Sequence, residues 1–413
     1  MQSLMVDGGR RLSGEVKISG SKNAVLPMLA ATVLFQEPCR ICNCPKLTDV
    51  DAAVEILEYL GAKTWWDGRC LTVDPRLICR WQIPAALMDR MRASVLFTGA
   101  LLARMGRCRL IRPGGCVLGD RPVDYHVRGL QTLGAVPDPQ DPSVLTGELA
   151  GTELTLPYPS VGATENLILA ALGASGVTTI HNAAMEPEIV CLCDFLRLGD
   201  CRIRGDGTPV IQISGGMPSG AEMKVIPDRM EAATFACAAA ATGGDVVLNG
   251  ADTEQIRPVL DVLAQAGCDI ISQQGAVAIH GGELTAPHGV IVTAPYPGFP
   301  TDAQAPVMAA MLRASGTTVL RETVFPQRMN HISGFRAMGA RIEMDSGQVR
   351  IYGGHPLHGA AVTAPDLRGG AALTIAALSA CGETEIFGLS HILRGYEDFA
   401  GKLRALGARI RQA

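Results

Sequence analysis

The stretch Phe235-Ala236-Cys237-Ala238-Ala239-Ala240-Ala241-Thr242-Gly243-Gly244-Asp245-Val246-Val247-Leu248 holds the fold in miniature. Its first half is apolar on most sides, a pattern that a helix tolerates only when neighbours cover it all round. The glycine pair then breaks the run, and the β-branched residues that follow read as a strand. Pro227-Asp228-Arg229 precedes the run, and Gln265-Ala266-Gly267-Cys268 closes the amphipathic stretch after the strand. A left-handed residue at that closing glycine would stop the second helix.

The same order recurs along the chain. Amphipathic stretches end at Gly61, Gly134, Gly199, Gly267, Gly339 and Gly407, spaced by 73, 65, 68, 72 and 68 residues. Polar clusters head the apolar runs at Ser21-Lys22-Asn23, Met91-Arg92-Ala93-Ser94, Pro159-Ser160-Val161-Gly162-Ala163-Thr164, Pro227-Asp228-Arg229, Pro300-Thr301-Asp302 and Asp366-Leu367-Arg368. Each of six units therefore reads as buried helix, strand, loop, amphipathic helix and further strands. Residues 340–344 turning at Asp345-Ser346-Gly347 into residues 348–351 exemplify those last strands. The class is α/β, with six units divided into two domains of three. An open solenoid shares the period, but it would leave one face of every apolar helix uncovered.

Composition agrees with large buried faces. The chain has 413 residues, 47% of them hydrophobic and 18% charged, which excludes wholesale disorder and favours two domains. Aromatics are only 4%, so cores must be built from small side chains on closely approaching backbones. The N-terminus lacks a basic start and apolar run, and no apolar run reaches the roughly 18 residues of a membrane span, so the expectation is a soluble, cytosolic protein. Thirteen cysteines without a secretory signal predict free thiols rather than a disulfide framework. A net charge of −4 without a long basic run argues against nucleic acid, so anion binding must rest on locally clustered arginines.

Polar residues recur at two places in the unit. Lys22, Asn23, Arg92, Ser160, Asp302 and Arg368 head the buried helices, where unpaired backbone N–H groups favour anions. Lys46, Cys116 with Arg121, Glu186 with Glu188, Arg328 and Arg394 lie in the loops between strand and amphipathic helix. A constellation drawn from equivalent loops fits a cleft between two similar domains. Plainer roles exist for several of these groups. Asp228, Asp302 and Asp366 also suit helix caps, and Glu186 and Glu188 suit a helix first turn. His126, His331 and His391 show no zinc spacing, and Cys39, Cys42, Cys44, Cys191 and Cys193 read as small buried hydrophobes.

The stretch Arg112-Pro113-Gly114-Gly115-Cys116-Val117-Leu118-Gly119-Asp120-Arg121-Pro122 reads as a shaped loop. A thiol flanked by arginines there is a candidate for a lowered pKa and for work on an anion, against the alternative of an ordinary surface loop.

Together the motifs resemble those of the UDP-N-acetylglucosamine 1-carboxyvinyltransferases, the enolpyruvyl transferases of the first committed step of peptidoglycan synthesis. The resemblance is carried by Gly20-Ser21-Lys22-Asn23-Ala24, Met91-Arg92-Ala93-Ser94, Pro113-Gly114-Gly115-Cys116 with Arg121-Pro122-Val123-Asp124, Ser160-Val161-Gly162-Ala163-Thr164, Glu186-Pro187-Glu188, Pro227-Asp228-Arg229, Pro300-Thr301-Asp302, Asp366-Leu367-Arg368 and Arg394-Gly395-Tyr396-Glu397. It implies a two-domain inside-out α/β barrel of six βαβαββ-type repeats. Residues 21–227 would form the domain with the Cys116 loop, and residues 1–20 and 228–413 the domain with both termini. It implies attack of the sugar 3-hydroxyl on phosphoenolpyruvate, with phosphate released by addition and elimination. Cys116 matches a general acid, Asp302 the base for the sugar hydroxyl, and Lys22 a catalytic cation. Lys22, Asn23, Arg121, Arg328, Arg368 and Arg394 match the phosphoenolpyruvate site. Asn23, Arg92, Arg121, Pro122, Val123, Ser160, Val161, Asp302 and Val324 match the UDP-sugar site. No metal or other cofactor is implied, and the partners are the two small-molecule substrates. An epoxide phosphonate such as fosfomycin would alkylate Cys116.

Departures from the family pattern are Arg112, Asp120, Tyr158 and the run Pro326-Gln327-Arg328-Met329-Asn330-His331. Asp120 can pair with Arg121 and weaken its hold on substrate. Two alternatives stay open: transfer to shikimate 3-phosphate, and a UDP-sugar-binding paralogue without catalysis.

Overall fold

The computed structural model describes residues 3–110, 123–345 and 347–413. Residues 3–19 and 227–413 form one compact unit, and residues 20–110 and 123–226 the other. In the first unit, the apolar runs become helices Arg229–Thr242, Gln304–Met311 and Leu367–Ser379, which pack on one another. Every residue from Met230 to Thr242 is buried, so this helix has no solvent face, as its composition requires. Alanine allows that density, because a helix of small side chains brings its backbone close to its neighbours.

Three four-stranded sheets surround those helices. One places Ser3–Asp7 between Glu383–Phe387 and Arg409–Gln412, with Leu4 opposite Ile386 and Gln412, so both chain ends lie in this unit. The second pairs Ser13–Lys17 in parallel with Asp245–Asn249. The third contains the expected hairpin, with Asp345 facing Gln348. Helices inside and sheets outside make the unit inside-out. The sheets are separately hydrogen-bonded rather than one closed barrel, because each repeat supplies its own short ladder.

The second unit repeats the plan with helices Lys22–Ala31, Leu96–Met105 and Val161–Ala171, the middle one contacting both others. Gly99 makes the closest approach possible: a Cβ there would fall 2.4 Å from the Asn166 carbonyl oxygen. Phe35 and Phe195 meet at 4.9 Å between ring centroids, one of few aromatic pairs in a core of aliphatic side chains.

Two expectations need correction. Left-handed glycines end the amphipathic helices at Gly61, Gly134, Gly267, Gly339 and Gly407, but Gly199 has φ −91° and Asp200 takes the left-handed turn at φ 70°. Gly199 is needed for space instead, since a Cβ there would lie 2.8 Å from Pro218 and 2.9 Å from Phe35. The second correction concerns thiols. Cys42 and Cys70 form a disulfide across neighbouring antiparallel strands, Cys39–Cys42 and Cys70–Asp74, whereas Cys39, Cys191 and Cys193 are free and buried, and Cys44 is buried too. Strand pairing had brought two distant thiols face to face, which residue spacing does not reveal. No helix among the described residues is long and apolar enough to cross a membrane.

Candidate functional site

In the unit with both termini, two sequence-distant arginines converge on one carboxylate. Asp302 lies in the turn Thr301–Ala303 ahead of helix Gln304–Met311. Its Oδ1 accepts from Arg328 Nη1 at 2.6 Å, and its Oδ2 accepts from Arg368 Nε at 3.1 Å and Nη2 at 3.0 Å. The two guanidinium side chains are 5% and 2% exposed, whereas Asp302 keeps 29%, so the carboxylate is the wet end of a dry cationic pair. Burial alone would lower the affinity of Arg368 for its proton, but Tyr396, Asp302 and Asp228 reverse this and hold it raised. Arg368 is therefore a permanent charge in a low-dielectric setting, where an incoming anion is felt strongly.

The other two aspartates cap helices. Asp228 accepts from the N–H groups of Met230 and Glu231, and Asp366 from those of Arg368 and Gly369. Asp366 thus sets the backbone that launches Arg368. Arg394 closes helix Leu389–Leu393, the loop position the repeat assigned to it.

Glu322 is a residue the sequence reading missed. It is 4% exposed. Its Oε1 accepts from Thr293 Oγ1, Val324 N and Phe325 N, each at 2.8 Å, and its Oε2 from Thr301 Oγ1 at 2.9 Å. One carboxylate therefore shapes both the backbone at Val324 and the turn carrying Asp302. A charged residue at the exit of a strand that is otherwise half-buried was the available signal.

In the second unit, Lys22 opens the first buried helix, whose N-cap Ser21 accepts from Ala24 N. Lys22 Nζ lies 3.3 Å from Asp49 Oδ2, with side chains 13% and 6% exposed. Asp49 sits in the first turn of Thr48–Leu60 and orients the lysine. Asn23, adjacent to Lys22 in the same helix, is half-buried. Ser160 caps helix Val161–Ala171 by accepting from Ala163 N, at the positive end of the helix dipole. His126 lies against it: a Cβ on Gly162 would be 3.6 Å from His126 Nε2. Asn166 Nδ2 contacts His126 Nδ1 at 3.1 Å, and Asn166 Oδ1 accepts from Gly99 N. With its amide oxygen so engaged, Asn166 donates to Nδ1, and the imidazole carries its proton on Nε2. Burial first, then Arg92, lower the His126 pKa to about 4, so the ring is neutral. Val123 and Arg92 are half-buried, at the starts of Asp124–Thr132 and of the turn Arg92–Val95. Cys116, Arg121 and Pro122 lie outside the described residues, as do Arg112 and Asp120.

Glu165 and Glu188 are buried together, and burial, followed by Glu188 and Glu186, raises the Glu165 carboxyl well above its ordinary range. Among the described residues no group of three or more His, Cys, Asp or Glu side chains is disposed to hold a metal ion. Burial also pushes the thiols of Cys108 and Cys191 up, to about 12 and about 11, leaving them poor nucleophiles.

Comparison with known proteins places this geometry. The family model described as EPSP synthase (3-phosphoshikimate 1-carboxyvinyltransferase) matches residues 6–403. UDP-N-acetylglucosamine 1-carboxyvinyltransferase 1 of Halalkalibacterium halodurans is 44% identical over 99% of this chain and 94% of that protein. UDP-N-acetylglucosamine 1-carboxyvinyltransferase of Gloeobacter violaceus is 44% identical over 98% of this chain and 90% of that protein. The crystal structure of the enolpyruvyl transferase NikO from Streptomyces tendae superposes with TM-score 0.89 at 26% identity, covering 100% of this chain and 99% of that one. EPSP synthase from Acinetobacter baumannii shares the fold, with TM-score 0.75 at 20% identity over 100% of both chains. With its repeated helices, its paired arginines on Asp302 and these full-length likenesses, the chain belongs to the enolpyruvyl transferase family.

Proposed function

We propose that this protein is a cytosolic enzyme that transfers the enolpyruvyl group of phosphoenolpyruvate to the 3-hydroxyl of UDP-N-acetylglucosamine, releasing phosphate, as a step of peptidoglycan synthesis. The observation that carries the reading is the convergence of buried Arg328 and Arg368 on half-exposed Asp302. That arrangement suits a substrate bearing both a phosphate and a carboxylate, and it places a carboxylate where a hydroxyl proton must go. The acceptor is the one in the names of the relatives that are 44% identical over nearly the whole chain.

In the proposed reaction the sugar oxygen bonds to C2 of phosphoenolpyruvate, and the hydroxyl proton passes to Asp302. C3 takes a proton from Cys116, completing a tetrahedral adduct. Loss of a C3 proton then re-forms the double bond as the C2–O bond to phosphate breaks. Lys22, Arg121, Arg328, Arg368 and Arg394 hold the anionic groups and stabilise charge on the leaving phosphate. Asn23, Arg92, Pro122, Val123, Ser160, Val161 and Val324 hold the UDP-sugar. The capped N-terminus at Ser160 and neutral His126 beside it offer N–H donors suited to a diphosphate. Shikimate 3-phosphate as acceptor lacks support of this kind, since the structural likeness to EPSP synthase is one of fold.

The test is phosphate release from phosphoenolpyruvate with each acceptor in turn. Release is expected with UDP-N-acetylglucosamine and not with shikimate 3-phosphate. The reverse preference, or no release at millimolar substrates, overturns the proposal.

A further inference from the structure

We propose that Tyr396 and Thr234 are positioning residues for Arg368, forming a directed hydrogen-bond chain that sets the guanidinium edge offered to the substrate anion. The inference rests on the reading above that Arg368 meets phosphoenolpyruvate.

Arg368 spends Nε and Nη2 on Asp302, and its buried Nη1 has no hydrogen-bond partner among the described residues. Its guanidinium carbon stands 5.2 Å from the centroid of the Tyr396 ring. Tyr396 is 1% exposed, and its hydroxyl lies 2.8 Å from Thr234 Oγ1. The direction of that bond follows from proton counting. Thr234 Oγ1 has one proton and donates it to the Met230 carbonyl at 2.7 Å. It can only accept from Tyr396, so the phenol donates to Thr234 and turns its lone pairs away from it. Burial raises the Tyr396 pKa, against the pull of Arg368, so the phenol keeps the proton this chain needs. The phenol oxygen thereby presents acceptor character, rather than a proton, to the adjacent guanidinium.

The backbone supports the arrangement. Tyr396 N donates to Ile392 O, and a Cβ on Gly395 would fall 2.5 Å from Leu367 Cδ2, so the tyrosine segment is seated directly against the first turn that carries Arg368. Thr234 stands one turn from Met230 in helix Arg229–Thr242. The chain therefore links three elements of one unit to a single substrate-facing cation.

Donor logic makes the variants unequal. Tyr396→Phe keeps the ring beneath the guanidinium and removes the acceptor. Thr234→Val leaves the phenol a buried proton with no acceptor, which can then turn toward the guanidinium N–H groups. In the double variant no such proton exists. Steady-state phosphate release, with each substrate varied, is expected to show the KM for phosphoenolpyruvate raised about tenfold in Tyr396→Phe. The KM for UDP-N-acetylglucosamine should stay within about twofold. Thr234→Val should be at least as impaired as Tyr396→Phe, the double variant no worse than Tyr396→Phe, and Thr234→Ser close to the parent. Additive losses in the double variant, equal shifts in both KM values, or a normal Tyr396→Phe would overturn the inference. Tyr396→Phe and Thr234→Ser decide it even where the valine variant is too unstable to assay. Arg368→Lys separates the two levels of the argument. If it leaves the phosphoenolpyruvate dependence unchanged, the assignment of Arg368 fails; if it impairs that dependence while Tyr396→Phe and Thr234→Val do not, only the positioning chain fails.

Discussion

Asp302→Asn tests the centre of the proposed site, because it preserves shape while removing one charge and one acceptor. The amide has a single oxygen. Facing Arg368 preserves the bonds at 3.1 and 3.0 Å, and this orientation is favoured because two bonds outweigh one. The amide N–H group then meets Arg328 Nη1 across a gap of 2.6 Å that had suited a carboxylate. A lone buried charge costs about 3–5 kcal/mol, but Asp302 is 29% exposed and solvent screens part of this. About 2–3 kcal/mol remains as a loss of stability. Losing the acceptor for the sugar proton removes a general base, worth about 100- to 10,000-fold in rate. The KM for phosphoenolpyruvate should not rise, since two guanidinium groups have lost a neutralising neighbour, so the deficit belongs in kcat. Phosphate release under saturating substrates gives kcat, and thermal unfolding should show a midpoint lower by about 4–12 °C. A variant with kcat within fivefold of the parent, or one impaired only in KM, refutes the reasoning.

Other outcomes follow from the same geometry. Glu322→Ala orphans the donors at Val324, Phe325 and Thr301 and should cost about 2–4 kcal/mol of stability while raising the KM for UDP-N-acetylglucosamine at least about tenfold. Glu322→Gln, which keeps one oxygen for the two backbone N–H groups, should lose far less, and equal losses in the two variants would contradict the assigned role. His331 is 1% exposed and burial lowers its pKa to about 4, against an ordinary 6.5. The unfolded chain therefore binds the extra proton first, and the contribution of His331 is complete above about pH 6.5 and lost as pH falls toward 4. Unfolding of His331→Leu and the parent at pH 7.5 and 5 should shift in the variant's favour at the lower pH, by up to about 2 kcal/mol, and a pH-independent gap would sink this account.

The six-unit organisation was legible in the sequence because its signal is redundant. The all-round apolar runs such as 235–241 have one physical solution, burial on every side, and the recurring glycines mark where each partner helix stops. The helix-head positions of the candidate site residues were legible for the same reason: Lys22, Ser160, Asp302 and Arg368 all stand at the heads of buried helices, a place defined by local sequence alone. What pairs with what was not local. Asp302 served equally well as a cap or as a partner until the fold brought Arg328 and Arg368 to it. Glu322 and Asp49 carry no local signal of their roles, and only their burial among donors identified them as the groups that hold the Asp302 turn and Lys22. Cys42 met Cys70 because of strand register, and Asp200 took a turn reserved for Gly199 because Pro218 and Phe35 crowd the glycine. Periodicity and helix ends are written in neighbouring residues; the choice of partner for a charge, a thiol or a hydroxyl depends on contacts between residues far apart in the chain, which exist only once the units have folded.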